Sequence, residues 1–296
     1  MRILSLLPSA TEIVYALELQ DDLIGVTHEC DWPPAAQSKR HVSVSNLEPQ
    51  SEPAEVDRQV SASVDGGDPI YRLDVDAVRE LQPDLVLSQD LCQVCAVPSG
   101  HVNEALDRLG CSAQVLSLDP NSLDEVIECI ITVGAATGAE EKAGRLVHNL
   151  NERLHAVVDA VRSADRPRTF GLEWSDPPFN AGHWVPHMID TAGGECVLGN
   201  PGTRSERVTW EQIEDASPEV VVFMPCGYHL DAAVGEGRPL VDHPSLAGIG
   251  RFFAVDATAY FSRPGPRLVD GVEILASLLH PGMVPEAPSG TAFRLK

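Results

Sequence analysis

The sequence predicts an α/β protein of two Rossmann-like lobes joined by a single long backbone helix. Three observations predict it. Short apolar, β-compatible runs alternate with helical patterns through both halves of the chain. One helical pattern, from about Glu140 to Ala164, runs for about 25 residues without proline, or roughly 37 Å at 1.5 Å per residue. Polar and aromatic residues also recur where strands should end, and open parallel sheets bind ligands there. The expected layout is an N-terminal lobe over 1–136, a linking helix over 137–165, a C-terminal lobe over 166–280 and a loose tail over 281–296. The ligand is expected in a cleft between the lobes.

The elements follow in order. Arg2 to Leu7 reads as a first strand running into Pro8-Ser9-Ala10-Thr11-Glu12, a capping box with Ser9 as cap and Glu12 reaching back. Amides at that helix start could hold an anion, or the box could serve capping alone. Leu23 to Thr27 is a strand that delivers His28, Glu29 and Cys30 to its end. Pro33 to Pro69 is weakly patterned and reads as a long irregular excursion with one turn of helix at Glu55 to Val60. Asp74 caps a helix through Leu81, closed by Pro83. The strand Leu85 to Ser88 empties into a loop with Gln89, Cys92 and Cys95. A helix from about Val102, the strand Ala113 to Leu118 and a second capping box at Ser122 to Glu125 precede the long helix.

After Pro167 the second lobe opens with the strand Thr169 to Leu172 and a loop from Glu173 to Phe179. A helix over Pro186 to Ala192 stops at Gly193-Gly194. A short helix at Trp210 to Asp215, strands at Glu219 to Phe223 and Phe252 to Val255, and a final helix from Pro264 to Leu279 complete the lobe. There is no GxGxxG, no phosphate-binding P-loop and no serine elbow.

Composition narrows the function. Of 296 residues, 44 are acidic and 21 basic, a formal charge of −23 and a pI near 4.6. Such a surface repels phosphate backbones, which excludes nucleic acid as an expected partner. No apolar run reaches the roughly 18 residues of a membrane span. The opening Met1 to Pro8 is too short for a secretory apolar core and reads better as a strand, so the expectation is a complete, cytoplasmic chain. Seven cysteines, odd in number and scattered, argue against a disulfide framework in a reducing compartment.

Two groups of side chains carry the chemistry. Cys92 and Cys95 have metal or redox spacing; Cys30 and His28, at a neighbouring strand end, could complete a zinc or iron–sulfur set. Buried, inert thiols are the alternative. His28 could equally ligate cobalt or iron in a bound chelate, or donate a hydrogen bond. His183 and His187 are four apart, but Pro186 between them points to a helix entrance. Trp174, Phe179, Trp184, Tyr228, Tyr260 and Phe261 all fall at predicted strand ends. Flat apolar walls suit a macrocycle, although some of these rings should be core. Arg263 could pair with a ligand carboxylate or amide, or with Glu173.

Particular stretches then carry a resemblance. Ser5-Leu6-Leu7-Pro8-Ser9-Ala10-Thr11-Glu12 resembles the opening of class III, helical-backbone substrate-binding proteins, the family for vitamin B12, iron-siderophores and haem. Leu172 to Phe179, followed by Ala192-Gly193-Gly194, is similar to the second-lobe opening of B12-binding members. Trp210-Glu211-Gln212-Ile213 and Ser217 to Val222 are similar to their later helix–strand pair. The resemblance spans about residues 1 to 280. It implies two rigid lobes and acidic residues that dock an ABC permease, at the matching positions Asp76 and Glu211. Asp76 is shorter than the usual Glu, and an unexported chain meets no permease, so docking is not expected as its main role.

The function expected is non-catalytic binding of a cobalamin-type corrinoid by Ser9, His28, Glu29, Gln89, Glu173, Trp174, Phe179, His183, Trp184, Tyr228, Tyr260, Phe261 and Arg263. One alternative is a cytoplasmic metal-binding protein or metalloenzyme using Cys30, Cys92, Cys95 and His28. The other is an iron-siderophore or haem binder serving an ABC transporter.

Overall fold

The computed structural model describes residues 1–46, 53–66, 70–90 and 112–296. Contacts group the chain into two compact units. One comprises Met1–Asp119 with Ile127–Val147, the other Pro120–Val126 with His148–Lys296.

The first unit runs β1 (Ile3–Ser5), α1 (Pro8–Ala16), β2 (Leu23–Val26), a 3-10 turn (Pro34–Ser38), β3 (Arg40–His41), β4 (Ser43–Ser45), α2 (Pro53–Gly66), β5 (Tyr71–Leu73), α3 (Val75–Leu81), β6 (Leu85–Ser88) and β7 (Gln114–Ser117). Its sheet has the order β3-β2-β1-β6-β7, and every neighbouring pair is parallel. Strands buried on both faces need continuous apolar runs, and Leu85-Val86-Leu87 supplies one. Leu4, Leu6, Val86, Ala77 and Val78 form the core beneath α3. Asp74 caps α3 by accepting the Ala77 N–H at 2.9 Å, as its position before an apolar helical pattern predicts.

Two expectations fail here. Ser9 does not cap α1; Leu7 is the N-cap, with no side-chain cap bond, and Pro8 opens the helix. Proline is pre-organised for the first helical position, so it starts the helix one residue early and leaves Ser9 buried inside it. The segment read as irregular between Pro33 and Pro69 contains the 14-residue helix α2, and β4 pairs antiparallel with β5. Its weak apolar pattern hid the helix.

Helix α4 (Leu123–Thr137) and the 22-residue α5 (Glu140–Val161) follow. The division between units falls within α5, after Val147. The box before α4 forms by half: Ser122 Oγ accepts the Glu125 N–H at 3.3 Å, while the Glu125 carboxylate takes the amide of Asn121 at 2.5 Å.

The second unit continues with β8 (Arg168–Ser175), β9 (Pro178–Asn180), α6 (Val185–Thr191), β10 (Glu195–Cys196), α7 (Trp210–Asp215), β11 (Val220–Phe223), α8 (Leu230–Leu240), β12 (Arg251–Val255), α9 (Ala257–Tyr260), α10 (Leu268–Leu279) and β13 (Ala292–Arg294). The sheet order is β10-β8-β11-β12-β13. The first four strands are parallel and β13 runs antiparallel to β12. Phe170, Leu172, Val221, Phe223 and Phe252 are fully buried in its core. Arg153, on α5, forks onto Glu273 at 2.9 Å and also reaches Asp270, both on α10.

Three more corrections belong to this unit. Strand β8 does not stop at Leu172 but continues to Ser175 and turns back as β9, so Glu173 and Trp174 stand on a strand. The stretch between Tyr228 and Phe252 holds α8, which the sequence reading lacked. Residues 281–296 are not a loose tail, because β13 pairs residue by residue with β12. At three residues, Ala292–Arg294, the strand is too short to register as a pattern.

Candidate functional site

In each parallel sheet the strands deliver their following loops to one edge, and the two edges differ in chemistry. In the first unit, β2 leads into Thr27 and His28. His28 Nδ1 lies 3.1 Å from Ser43 Oγ, its ring centroid 5.6 Å from that of Tyr71. The Tyr71 hydroxyl donates to Glu29 Oε1 at 2.9 Å, and His28 Nε2 stands 4.0 Å from the same oxygen. His28 and Glu29 are therefore brought together, with a tyrosine the sequence reading did not include.

Gln89 and Cys30 are tied into the fold. Gln89 is buried, and its Nε2 donates to the Leu118 carbonyl at 3.0 Å, joining the ends of β6 and β7. Cys30 is 1% exposed. The hydroxyls of Thr11 and Thr27 each stand 3.1 Å from its sulfur, and the Thr11 hydroxyl donates a hydrogen bond to Ser5 Oγ at 2.9 Å. Its backbone N–H bonds Thr27 O, which turns the thiol inward. Cys92 and Cys95 lie outside the described residues. Among the described residues no three His, Cys, Asp or Glu side chains gather as a metal site, so a zinc or iron–sulfur centre has no support there.

The second unit's edge is aromatic and carboxylate-rich. The Trp174 and Tyr228 rings meet edge to face at 5.6 Å and 78°, the geometry aromatic pairs prefer. The Cys226 N–H donates to Glu173 O at 3.3 Å, and the Thr258 N–H to Tyr228 O at 3.1 Å. These bonds knit β8 to the loops after β11 and β12. Phe179, on β9, carries the Arg207 guanidinium 5.7 Å from its ring centroid, and Tyr260 carries Arg267 at the same distance. Trp184 and Phe261 are core instead of wall: both are buried, and the Trp184 indole donates to Phe261 O at 2.7 Å. Arg263 is half-buried beyond α9.

Glu173 is half-buried, and its carboxylate accepts the Gly182 N–H at 3.0 Å. Burial is the main influence and pushes its pKa up to about 7, against the opposing pull of the Gly182 amide and the Ser205 side chain. Gly182 is required by close approach: a Cβ there would stand 2.1 Å from the Ser205 amide nitrogen. His183 follows in left-handed backbone, φ 51°. Its Nε2 is buried without a hydrogen-bond partner; burial, then the Arg204 charge, lowers its pKa. His187 lies within α6 and His183 before it, so the two do not share a helical face. Cys196 is inert, its thiol pushed up to about 12 chiefly by burial and then by Asp190.

Sequence reasoning missed His229 and Asp256, whose contact is 3.1 Å. The place of Asp256, directly after the expected strand Phe252 to Val255, was legible, but its pairing with His229 was not. The two docking candidates both lie on exposed first helical turns. Asp76, on α3, pairs with Arg79 at 2.6 Å. Glu211, on α7, has its pKa lowered by its own backbone amide and then by the Thr209 side chain.

Residues 3–241 match the family described as periplasmic binding protein. The chain belongs to this family. An uncharacterised ABC transporter substrate-binding lipoprotein of Bacillus subtilis (strain 168), YvrC, is 26% identical over 291 residues, 95% of this chain and 80% of that protein. A cobalamin-binding protein of Halobacterium salinarum strain R1 is 26% identical over 289 residues, 94% of this chain and 69% of that one. A periplasmic haem-binding protein of Pseudomonas aeruginosa superposes with a TM-score of 0.71 at 19% identity, covering 99% of this chain and 97% of its own. The fold is thus that of the two-lobed periplasmic binding proteins, and the protein is a substrate-binding one.

This membership corrects the cytoplasmic expectation. The family is described as periplasmic, and the Bacillus relative is a lipoprotein. That residues 3–5 form β1 says what they do in the folded lobe and carries no information on export. Of the two grounds for disfavouring an ABC permease, the lack of export falls with that expectation; the shorter side chain at Asp76 remains. No helix among the described residues is long and apolar enough to cross a membrane.

Proposed function

We propose that this periplasmic binding protein takes up a corrinoid at its strand-end surfaces and presents it to an ABC permease, without catalysing a reaction on it. The observation that carries the reading is the Trp174–Tyr228 pair, fixed by backbone bonds among the loops after β8, β11 and β12. Rigid aromatic faces at the ligand-binding edge of a parallel sheet suit a flat, largely apolar macrocycle. The Halobacterium cobalamin-binding protein, alike over 94% of this chain, supports the same ligand class. His28, Glu29, Glu173, Phe179 and Tyr260 are the further contacts proposed. Asp76 and Glu211, exposed and acidic, are proposed to meet basic residues of the permease, where charge would speed encounter and fix register.

A second reading, haem or an iron chelate, is favoured by the fold shared with the Pseudomonas haem-binding protein. Titration calorimetry with cyanocobalamin, ferric haem and a ferric siderophore separates the two. Micromolar or tighter cyanocobalamin binding is the expected outcome. Tight haem or siderophore binding with no cyanocobalamin heat overturns the corrinoid reading.

A further inference from the structure

His183 lies between β9 and α6 of the second unit, and three separate observations single it out. The first is its backbone, which is left-handed at φ 51°, a region that residues with a Cβ seldom occupy. The surroundings impose it: the His183 N–H donates to Thr203 O at 2.5 Å, and its carbonyl accepts the Gly202 N–H at 3.0 Å. Residues held in such backbone cluster at ligand clamps and switch regions. The second is Nε2, which is buried without a hydrogen-bond partner. Buried polar atoms are nearly always paired, and one left alone weakens the fold that carries it.

The third observation is its place. The Gly182 N–H just before it donates to Glu173, and Phe179 stands four residues earlier on β9. The Trp184 indole just after it donates to Phe261 O, in the loop beyond β12. His183 therefore sits on the strand-end side of the second sheet, among its aromatic and carboxylate side chains. A role in the fold alone accounts for none of this. Glycine would hold the same backbone without strain, and an apolar ring would fill the space without an orphaned nitrogen. Burial, and then the Arg204 charge, lowers its pKa, so at neutral pH the ring is uncharged and carries one N–H donor.

We propose that His183 Nε2 reads a polar arm on the rim of the bound macrocycle, donating its N–H to the carbonyl oxygen of an amide or carboxylate. This rests on the macrocycle reading above and adds a specificity-determining residue to it. A corrinoid carries short amide arms and haem carries short carboxylate arms, and both end in the required oxygen. The residue as a whole is half-buried, and the clamp on its backbone leaves its side-chain torsions free. Rotation of the ring then brings the nitrogen to the arm. The free chain bears the unpaired atom and the right ligand pairs it, an arrangement that rejects ligands lacking the matching group.

Thermal unfolding and calorimetry of the full chain with His183→Phe test this, because phenylalanine keeps a ring and removes the nitrogen. The free variant is expected to melt at or above the wild-type temperature, while its affinity for cyanocobalamin falls about tenfold. The same loss for ferric haem, where wild type binds haem and not cyanocobalamin, supports the contact and makes the arm a carboxylate. His183→Gly, which suits left-handed backbone, is expected to show the same loss of affinity and serves if phenylalanine does not fold. A free His183→Phe that folds but melts several degrees below wild type overturns the assignment, since the nitrogen then serves the fold. Wild-type affinity in either variant overturns it too and leaves the macrocycle reading standing. No binding of cyanocobalamin or ferric haem to wild type overturns both.

Discussion

Each unit places a histidine at a strand end with Nδ1 held 3.1 Å from an oxygen, and the oxygens differ. His28 meets the Ser43 hydroxyl; His229 meets the Asp256 carboxylate. A hydroxyl can donate or accept, so it leaves the tautomer of His28 open, whereas a carboxylate commits His229. The surroundings follow suit. The first edge is a polar set of Tyr71, Glu29 and Ser43 with half-buried rings, while the second adds the Trp174–Tyr228 pair and the half-buried Glu173. The difference teaches that two sheets of the same design can divide labour at their edges, one supplying hydrogen bonds and the other flat contact area.

The largest expected effect sharpens this contrast through two glycines. A Cβ on Gly182 would lie 2.1 Å from backbone, the Ser205 nitrogen, whereas one on Gly25 would meet leucine methyls of Leu4 and Leu81 at 2.8 Å. Methyls can move and backbone cannot. Gly182→Ala should cost about 3 kcal/mol or more and Gly25→Ala about 1 kcal/mol. Denaturant unfolding followed by tryptophan fluorescence checks this, since Trp174, Trp184 and Trp210 report on the second unit and Trp32 on the first. Equal costs would break the contrast.

A smaller effect is expected on binding. Trp174→Ala should weaken corrinoid affinity about thirtyfold, or about 2 kcal/mol, while His28→Ala should weaken it about threefold. Calorimetry giving the reverse order would make the first edge the main contact surface.

The smallest effect concerns pH. The folded pKa of Glu173, about 7, lies above its ordinary 4.5, so the folded chain holds this proton more tightly than the unfolded chain. The resulting stability is fully present below pH 4.5 and lost as pH rises to about 7. Glu173→Gln removes that slope and should be more stable than wild type at pH 8, by about 1–2 kcal/mol after solvent screening. Unfolding midpoints between pH 4.5 and 8 measure it; an unchanged slope would place the titration elsewhere.

Much of the fold was legible because parallel strands are short, continuous apolar runs. Leu85–Ser88, Val220–Phe223 and the proline-free Glu140–Val161 announce themselves. What failed to show was set by tertiary context. Pro8 overrode the capping signature at Ser9, and the apolar residues of α2 (Val56, Val60 and Val64) are too few to stand out among its polar ones. Of the candidate site, the strand-end rule proposed His28, Glu173, Trp174 and Tyr228, and the structure places each at or near the end of a strand. The rule could not tell wall from core at Trp184 and Phe261, because both kinds of ring follow strands. It also missed His229 with Asp256, since a pairing 27 residues apart depends on β11 and β12 being neighbours, which no local pattern states.

The final strand governs how the protein behaves in a crowded solution. Without β13, the flank of β12 would offer a row of unpaired amides and carbonyls along Phe252-Phe253-Ala254-Val255, a ready template for the same segment of another copy. β13 occupies that flank in register, from Phe253 opposite Arg294 to Val255 opposite Ala292. It also sets the charges of Arg294 and Lys296 near the new outer border. The short β13 thus covers the apolar flank of β12 and leaves a charged strand at that border of the sheet.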